Sequence, residues 1–309
     1  MSIRRFSPAT LLVALVAAVA VSVPAEGETL LHWKYEVGQK NHLIMTQDMQ
    51  MKMVIKDQTV LTTATWTMDL LWEVTAVDDQ GVATMTETVT RIRMKIQGPQ
   101  GVMMEYDSDS GEKPQGMAAM FAPMFDSMVN KPFVARMDPR GKVVEMTIPQ
   151  GLAESMAKLP GGGQLGNALS EEGLKDMAEI VTFPETPVSP GDTWTCEASM
   201  KNPVAGNANV ETTLRYVGPE TRDGRELERI DLEMKFQFDE GEKAAIKVTD
   251  QSGSGTIYFD NALGRFTTSE GKMTMKMQIS VMGQEMQQEM EVNTSAVCTP
   301  VEPSEKNGK

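Results

Sequence analysis

The chain has 309 residues, with 29 lysines and arginines against 43 acids, a formal charge of −14, two histidines, two cysteines and 26 methionines. A surface this acidic repels phosphate backbones and anionic headgroups, which argues against nucleic acid and against electrostatic docking on membranes. With two histidines near the N-terminus and no G-x-S-x-G, H-E-x-x-H or C-x-x-C pattern, a histidine triad or zinc site has few possible members, so no enzyme and no cofactor is expected.

Arg4 and Arg5 precede an apolar run from Ala9 to Val23, shorter than the ~20 residues of a comfortable membrane span. Val23-Pro24-Ala25 places small residues where a signal peptidase cuts, so we expect a signal peptide over 1–25, cleaved after Ala25, and a periplasmic or extracellular protein. An uncleaved membrane anchor is the alternative. Cleavage removes two arginines and no acid, which takes the charge from −14 to −16. No later apolar run is long enough to span a bilayer, and the polar tail 299–309 is expected to be disordered.

In "HLIMTQDMQMKMVI" the residues Met45, Met49, Met51, Met53 and Ile55 fall on one parity, with Thr46, Asp48, Gln50 and Lys52 on the other. Period two predicts a strand with one apolar face. The pattern returns at Ile92, Met94 and Ile96, at Ile230, Leu232, Met234, Phe236 and Phe238, at Met273, Met275, Met277, Ile279 and Val281, and at Met286, Met290 and Val292. These read as long antiparallel strands wetted on one side, joined by hairpin turns at Asp79-Gln80-Gly81, at Asp223-Gly224 and around Gly283.

Between these strands the period changes. "GMAAMFAPMFDSMV" has near-helical spacing that Pro123 is expected to break or kink. "QGLAESMAKL" and "SEEGLKDMAEIV" also read as helices, the second with Ser170 as N-cap and Glu171 and Glu172 in its first turn. "LPGGGQLGN" between them is a linker; it satisfies G-x-G-x-x-G in form but follows a helix rather than a strand.

The predicted fold is therefore mainly β with a helical insert: a first β lobe over 26–116 with 131–149, an insert and Gly-rich linker over 117–180, and a second β lobe over 181–298. Each lobe is expected to be a curved sheet or half-barrel. Both run an opening strand, a hairpin on an acidic-Gly turn, and a turn with an Asp and a Gly, Asp138 and Gly141 in one, Asp260 and Gly264 in the other. An internal duplication gives that pattern, and so does the shared grammar of hairpins.

Two chemistries compete for the methionines. Thioethers bind Cu(I), but alternate positions shared with Ile, Val and Phe describe a core face. If the sheet curves round a cavity, flexible thioethers make an adaptable wall for acyl chains. The inner candidates for such a ligand are Met49, Met51, Met53, Met94, Met234, Met273, Met275 and Met277. Asp107, Asp109 and Glu112 in "YDSDSGE" have the alternate spacing of calcium loops without the downstream Glu, so a solvated loop is expected and no metal. Cys196 and Cys298 are either a disulfide or two buried thiols.

The segments "LHWKYEVGQKNHLIMTQDMQMKM", "WEVTAVDDQGVATM", "PVSPGDTW" and "GTIYFDNALGRF" together resemble a family of exported bacterial proteins of unknown function. The likeness spans nearly all of 30–297 and rests on turns and aromatic anchors, so it implies localisation and fold and brings no catalytic residues. More loosely, long antiparallel strands with apolar inner faces resemble the half-barrels of periplasmic lipoprotein carriers. The expected function is a non-enzymatic binding or carrier module for a hydrophobic ligand or envelope lipoprotein, with lipid or lipoprotein as partner. A structural or protein-interaction role is the alternative, and Met-based copper binding comes third.

Overall fold

Alternating apolar and polar residues commit most of the chain to strands, and all of the strands join one sheet. The computed structural model describes residues 27–55, 58–157, 170–178, 181–200, 208–238, 246–281 and 284–302. The expected signal peptide, the Gly-rich linker, the turn at Gly283 and the tail beyond Glu302 lie outside them. The strands are β1 (Lys40–Ile55), β2 (Gln58–Val77), β3 (Ala83–Gly98), β4 (Gly101–Asp107), β5 (Pro132–Met137), β6 (Val143–Thr147), β7 (Thr193–Met200), β8 (Ala208–Arg222), β9 (Arg225–Phe238), β10 (Ile246–Asp260), β11 (Arg265–Val281) and β12 (Gln284–Pro300). The helices are α1 (Met117–Met128), α2 (Leu152–Ala157) and α3 (Glu171–Ala178).

The strand order is β6-β5-β3-β2-β1-β12-β11-β10-β9-β8-β7, antiparallel throughout, with β4 paired to β3 beside this path. Each half is a five-strand meander, β1-β2-β3-β5-β6 and β7-β8-β9-β10-β11, running the same way along the sheet, and β12 fills the place between β11 and β1. The turns matched in the sequence fall at equivalent steps of the two meanders, which is the topology a duplication produces. The two halves share hydrogen bonds through β1 and β12, so they form one continuous open sheet. The mainly β architecture with inserted helices is as the periodicity predicts; β12 extends to Pro300, which pairs with Asn41.

Turn chemistry follows the sequence. Asp223 and Gly224 both have positive φ, 49° and 75°, as a two-residue hairpin requires. Asp138 Oδ1 accepts from the backbone N–H groups of Arg140 and Lys142 (2.9 Å each), and Asp260 Oδ1 accepts from Leu263 N–H (2.9 Å), so both act as turn formers. Ser170 Oγ caps α3 by accepting from Gly173 N–H at 3.1 Å. Pro123 does not end α1. It lies on the exposed side with Ala119, the residue four before it, to which it has no N–H to donate.

Two features curl the sheet and close one end of it. In β10 and β11 a Cβ on Gly255 would stand 2.6 Å from the carbonyl oxygen of Glu270, so only glycine lets the two strands cross this closely. Helix α3 contacts both β6 and β7, the two edges, so the sheet has bent until one short helix reaches from edge to edge. The N-terminal segment then runs across the strand ends as a strap. Thr29 pairs with Val188, Trp33 N–H donates to Pro139 O (2.7 Å), Lys34 N–H to Gly264 O (3.1 Å) and Gly38 N–H to Val74 O (2.8 Å). Gly264 has φ 62° and a Cβ there would overlap the Lys34 backbone, so the strap depends on it. Arg140 ties the β5–β6 turn to the chain before β7: its Nε donates to Phe183 O at 2.8 Å and its Nη1 meets Glu185 at 2.7 Å.

Candidate functional site

The strap and the bent sheet enclose an apolar cavity of about 550 Å³. Its walls come from both halves of the sheet and from the helical insert. β2 supplies Trp66, Met68, Leu70 and Trp72 at alternate positions; β3 supplies Glu87 and Val89; β5 and β6 supply Phe133, Met137, Val143 and Met146. Leu152 of α2, Leu174 of α3, and Val181 and Phe183 close it from the insert side, and Ile257, Phe259 and Phe266 face it from β10 and β11. Trp33 of the strap joins the set.

Aromatic packing holds these walls. Trp33 meets Phe259 (5.5 Å between centroids) and Phe266 (6.1 Å) edge to face, Phe266 meets Trp72 the same way at 6.0 Å, and Phe183 meets Phe259 at 4.9 Å. Such pairs contribute about 0.5–1.5 kcal/mol each beyond the area they bury, so the cavity is bordered by a rigid aromatic frame. The indole Nε1 atoms of Trp66 and Trp72 are buried and have no hydrogen-bond partner among the described residues, while the side chains keep some accessible surface. The surface these indoles offer the cavity is therefore carbon.

Among the described residues Glu87 is the one ionisable side chain lining the cavity, and Ser269 is its other polar side chain apart from the indoles. Glu87 sits in the middle of an apolar row: its register partners are Trp72 on β2 and Phe133 on β5, and Met85 and Val89 precede and follow it on the same side of β3. It has no hydrogen bond or ion pair among the described residues, and it keeps accessible surface although protein surrounds it, as a group facing an internal space does. Burial alone pushes its carboxyl up to about 7.

The register confirms the parity of the eight predicted methionines and relocates the site. Met49, Met51 and Met53 pair with Val292, Met290 and Gln288, which pair in turn with Met273, Met275 and Met277; Met234 lies opposite Gly253, the neighbour of Met273, and Met94 opposite Trp66. All eight thus share the inner face. None lines the cavity. They lie farther along the strands, where Met275 is buried and the other seven are half-buried. Met94 packs against the core cluster that contains α1. The methionines that do line the cavity are Met45, Met68, Met128, Met137 and Met146. His42 follows Asn41 and precedes Leu43 in β1, so alternation turns it to the face opposite Met45, Met49 and Met51 and away from any thioether cluster.

The remaining sequence candidates take structural parts. Asp107 receives Arg91 in a two-pronged ion pair (2.9 and 2.6 Å), and this pairing holds its carboxyl down to about 2. No disulfide joins Cys196 and Cys298, which stand on β7 at the sheet edge and β12 near its centre. Cys298 is buried against the core around Leu43, and desolvation pushes its thiol up to about 11. Both thiols are thus unbridged, with Cys298 buried and Cys196 half-buried rather than both buried.

Comparison with known proteins names no activity for this chain. Residues 80–223, a little under half of the chain, match a family described as "Family of unknown function (DUF6263)". No curated protein matches. Among solved structures the chain is similar to lipovitellin, in a structure describing lipid–protein interactions, with TM-score 0.46 and 9% identity over 89% of this chain and 27% of that one. It thus spans about a quarter of the lipovitellin chain. It is also similar to an exported protein with YmcC-like fold from Bacteroides fragilis (TM-score 0.30, 11% identity, 88% and 99% of the two chains). The lipoprotein YmcC from Escherichia coli (K12) is a further neighbour (TM-score 0.24, 10% identity, 82% and 86%).

Proposed function

We propose that the protein is an exported, non-enzymatic carrier or binding module whose aromatic cavity holds a hydrophobic ligand. The observation that supports this is the cavity itself. Its volume of about 550 Å³ falls within the ~300–1,000 Å³ of small-molecule sites, and among the described residues its lining is apolar but for one carboxyl, one hydroxyl and the indoles. An apolar occupant would remove its own surface and that of the lining from water, at about 25 cal/mol per Å² of apolar area. Flexible methionines on both sheet and insert let the wall adapt to the tail it encloses.

The test is saturation binding of the neutral fluorophore N-phenyl-1-naphthylamine to the mature protein and to Val181→Trp, which adds bulk at the half-buried insert wall. We expect one site per chain in the parent and at least tenfold weaker binding in the variant. A folded parent with no saturable binding would overturn the reading and favour a structural or protein-interaction role.

A further inference from the structure

A single carboxyl in an otherwise apolar, aromatic-walled cavity is a specific chemical feature. Core positions of this kind are normally apolar, and burying an ionised carboxylate without a partner is costly. Glu87 could have been relieved by a nearby lysine or arginine, yet its register partners are Trp72 and Phe133, and the rest of the cavity lining among the described residues is apolar but for Ser269 and the indoles. No other titratable or charged side chain of the described residues lines this space. Among the described residues the site thus offers this carboxyl no cationic partner.

Three ligand chemistries could meet such a carboxyl. An anionic amphiphile would place a second carboxylate or a phosphate beside Glu87 with no cation among the described residues of the lining, inside a chain of formal charge −14. A neutral alcohol or ester would use Glu87 only as a hydrogen-bond partner. A cation satisfies both the carboxylate and the flanking rings, because the faces of Trp and Phe attract cations. The buried indole N–H atoms fit the last case best, since Trp66 and Trp72 present carbon rather than donors to the cavity.

Building on the carrier reading above, we propose that the cavity's ligand is a cationic amphiphile, its apolar body among Trp66, Leu70 and Phe259 and its ammonium group against Glu87 between Trp72 and Phe133. Binding such a ligand requires the ionised carboxylate. Because burial raises Glu87 to about 7, affinity for a permanent cation increases with pH through neutrality. One carboxyl titrating there makes binding about tenfold tighter at pH 8 than at pH 6.

The experiment is displacement of bound N-phenyl-1-naphthylamine by dodecyltrimethylammonium, by 1-dodecanol and by dodecanoate, each below its micellar concentration, at pH 6 and pH 8. The fluorophore and the quaternary ammonium keep their charge across this range, so a pH effect on the cation reports the protein. We expect dodecyltrimethylammonium to displace best and about tenfold better at pH 8, and Glu87→Gln to remove both the pH dependence and the advantage over dodecanol. Equal displacement by dodecanol, or a cation affinity that ignores pH while the fluorophore binds, would overturn the cationic assignment and leave the carrier reading standing. Failure of the fluorophore itself to bind would remove both. Should Glu87→Gln not fold, the sign of the pH dependence in the parent chain decides the question alone.

Discussion

The inner face of the sheet has two ends built on the same strands with different side chains. At the strap end Leu43, Leu70, Phe259 and Ile230 are buried and aromatic rings frame the cavity. At the other end Met49, Met51, Met53, Met273 and Met277 are half-buried, and the described helices lie against β3, β4, β6 and β7 rather than over β1, β11 and β12. Aromatic and branched groups, with five methionines among them, line the cavity at the strap end, and unbranched thioethers predominate at the end that is partly open. The difference separates two roles that the composition alone merges. Methionine supplies a compliant inner surface, and the aromatic frame supplies a defined site.

Substitutions at the two ends should break this comparison in order of size. Phe259→Ala removes a fully buried ring that touches Trp33 and Phe183, and we expect a loss of about 3–5 kcal/mol in urea unfolding, the range for buried phenylalanines. The same truncation at the half-buried Met277 should cost about 1 kcal/mol, less than the ~2–5 of fully buried methionines because little is sealed there. Near-equal losses would mean that the methionine end is packed as tightly as the strap end.

Glu87→Gln tests the strap end with the opposite sign. The carboxyl rises from 4.5 to about 7 on folding, so the native state holds its proton where the unfolded chain has released it. Stability from this group is full below 4.5 and is lost as pH rises through about 7. The variant should therefore be more stable than the parent at pH 8, by at most about 3 kcal/mol, and close to it at pH 4.5. A parent at least as stable at pH 8 as the variant would show that Glu87 has a cationic partner inside the protein.

Met275→Lys puts a charge on the inner face at a buried position. It should destabilise by about 1–3 kcal/mol, moderated because a lysine stem can reach the open end. Next to it Lys276 lies on the outer, wetted face and pairs with Asp250 at 2.9 Å. Lys276→Glu should move the thermal midpoint least of the set, since an exposed ion pair contributes little. A larger effect from Lys276→Glu than from Met275→Lys would reverse the assignment of faces.

Strand parity was legible because it is local: Met49, Met51 and Met53 face one way whatever their neighbours do, and the register with Val292, Met290 and Gln288 agrees. The same rule was available for Trp66, Met68, Leu70 and Trp72, whose alternation in β2 is framed by threonines and marks the cavity wall directly. Glu87 was harder to read. A register shift between Asp69 and Leu70 leaves Thr90 without a partner, so the inward parity passes from Glu87 and Val89 to Ile92 and Met94, and the acid looks out of phase with the stripe that follows. The location of the cavity was not legible at all. It depends on Gly264 meeting Lys34, Arg140 meeting Phe183, and α3 touching both sheet edges, contacts that no local pattern encodes. The cysteines pose the same problem, since their spacing along the chain says nothing about β7 and β12 being five strands apart.

Native mass spectrometry of the mature protein isolated from its own envelope fraction tests the central claim most directly, because it weighs the occupant of the cavity without assuming what it is. The account predicts one added mass per chain, matching a single amphiphile that is released on unfolding and lost in Val181→Trp. A bare chain from the envelope that also takes up no amphiphile after incubation would contradict it.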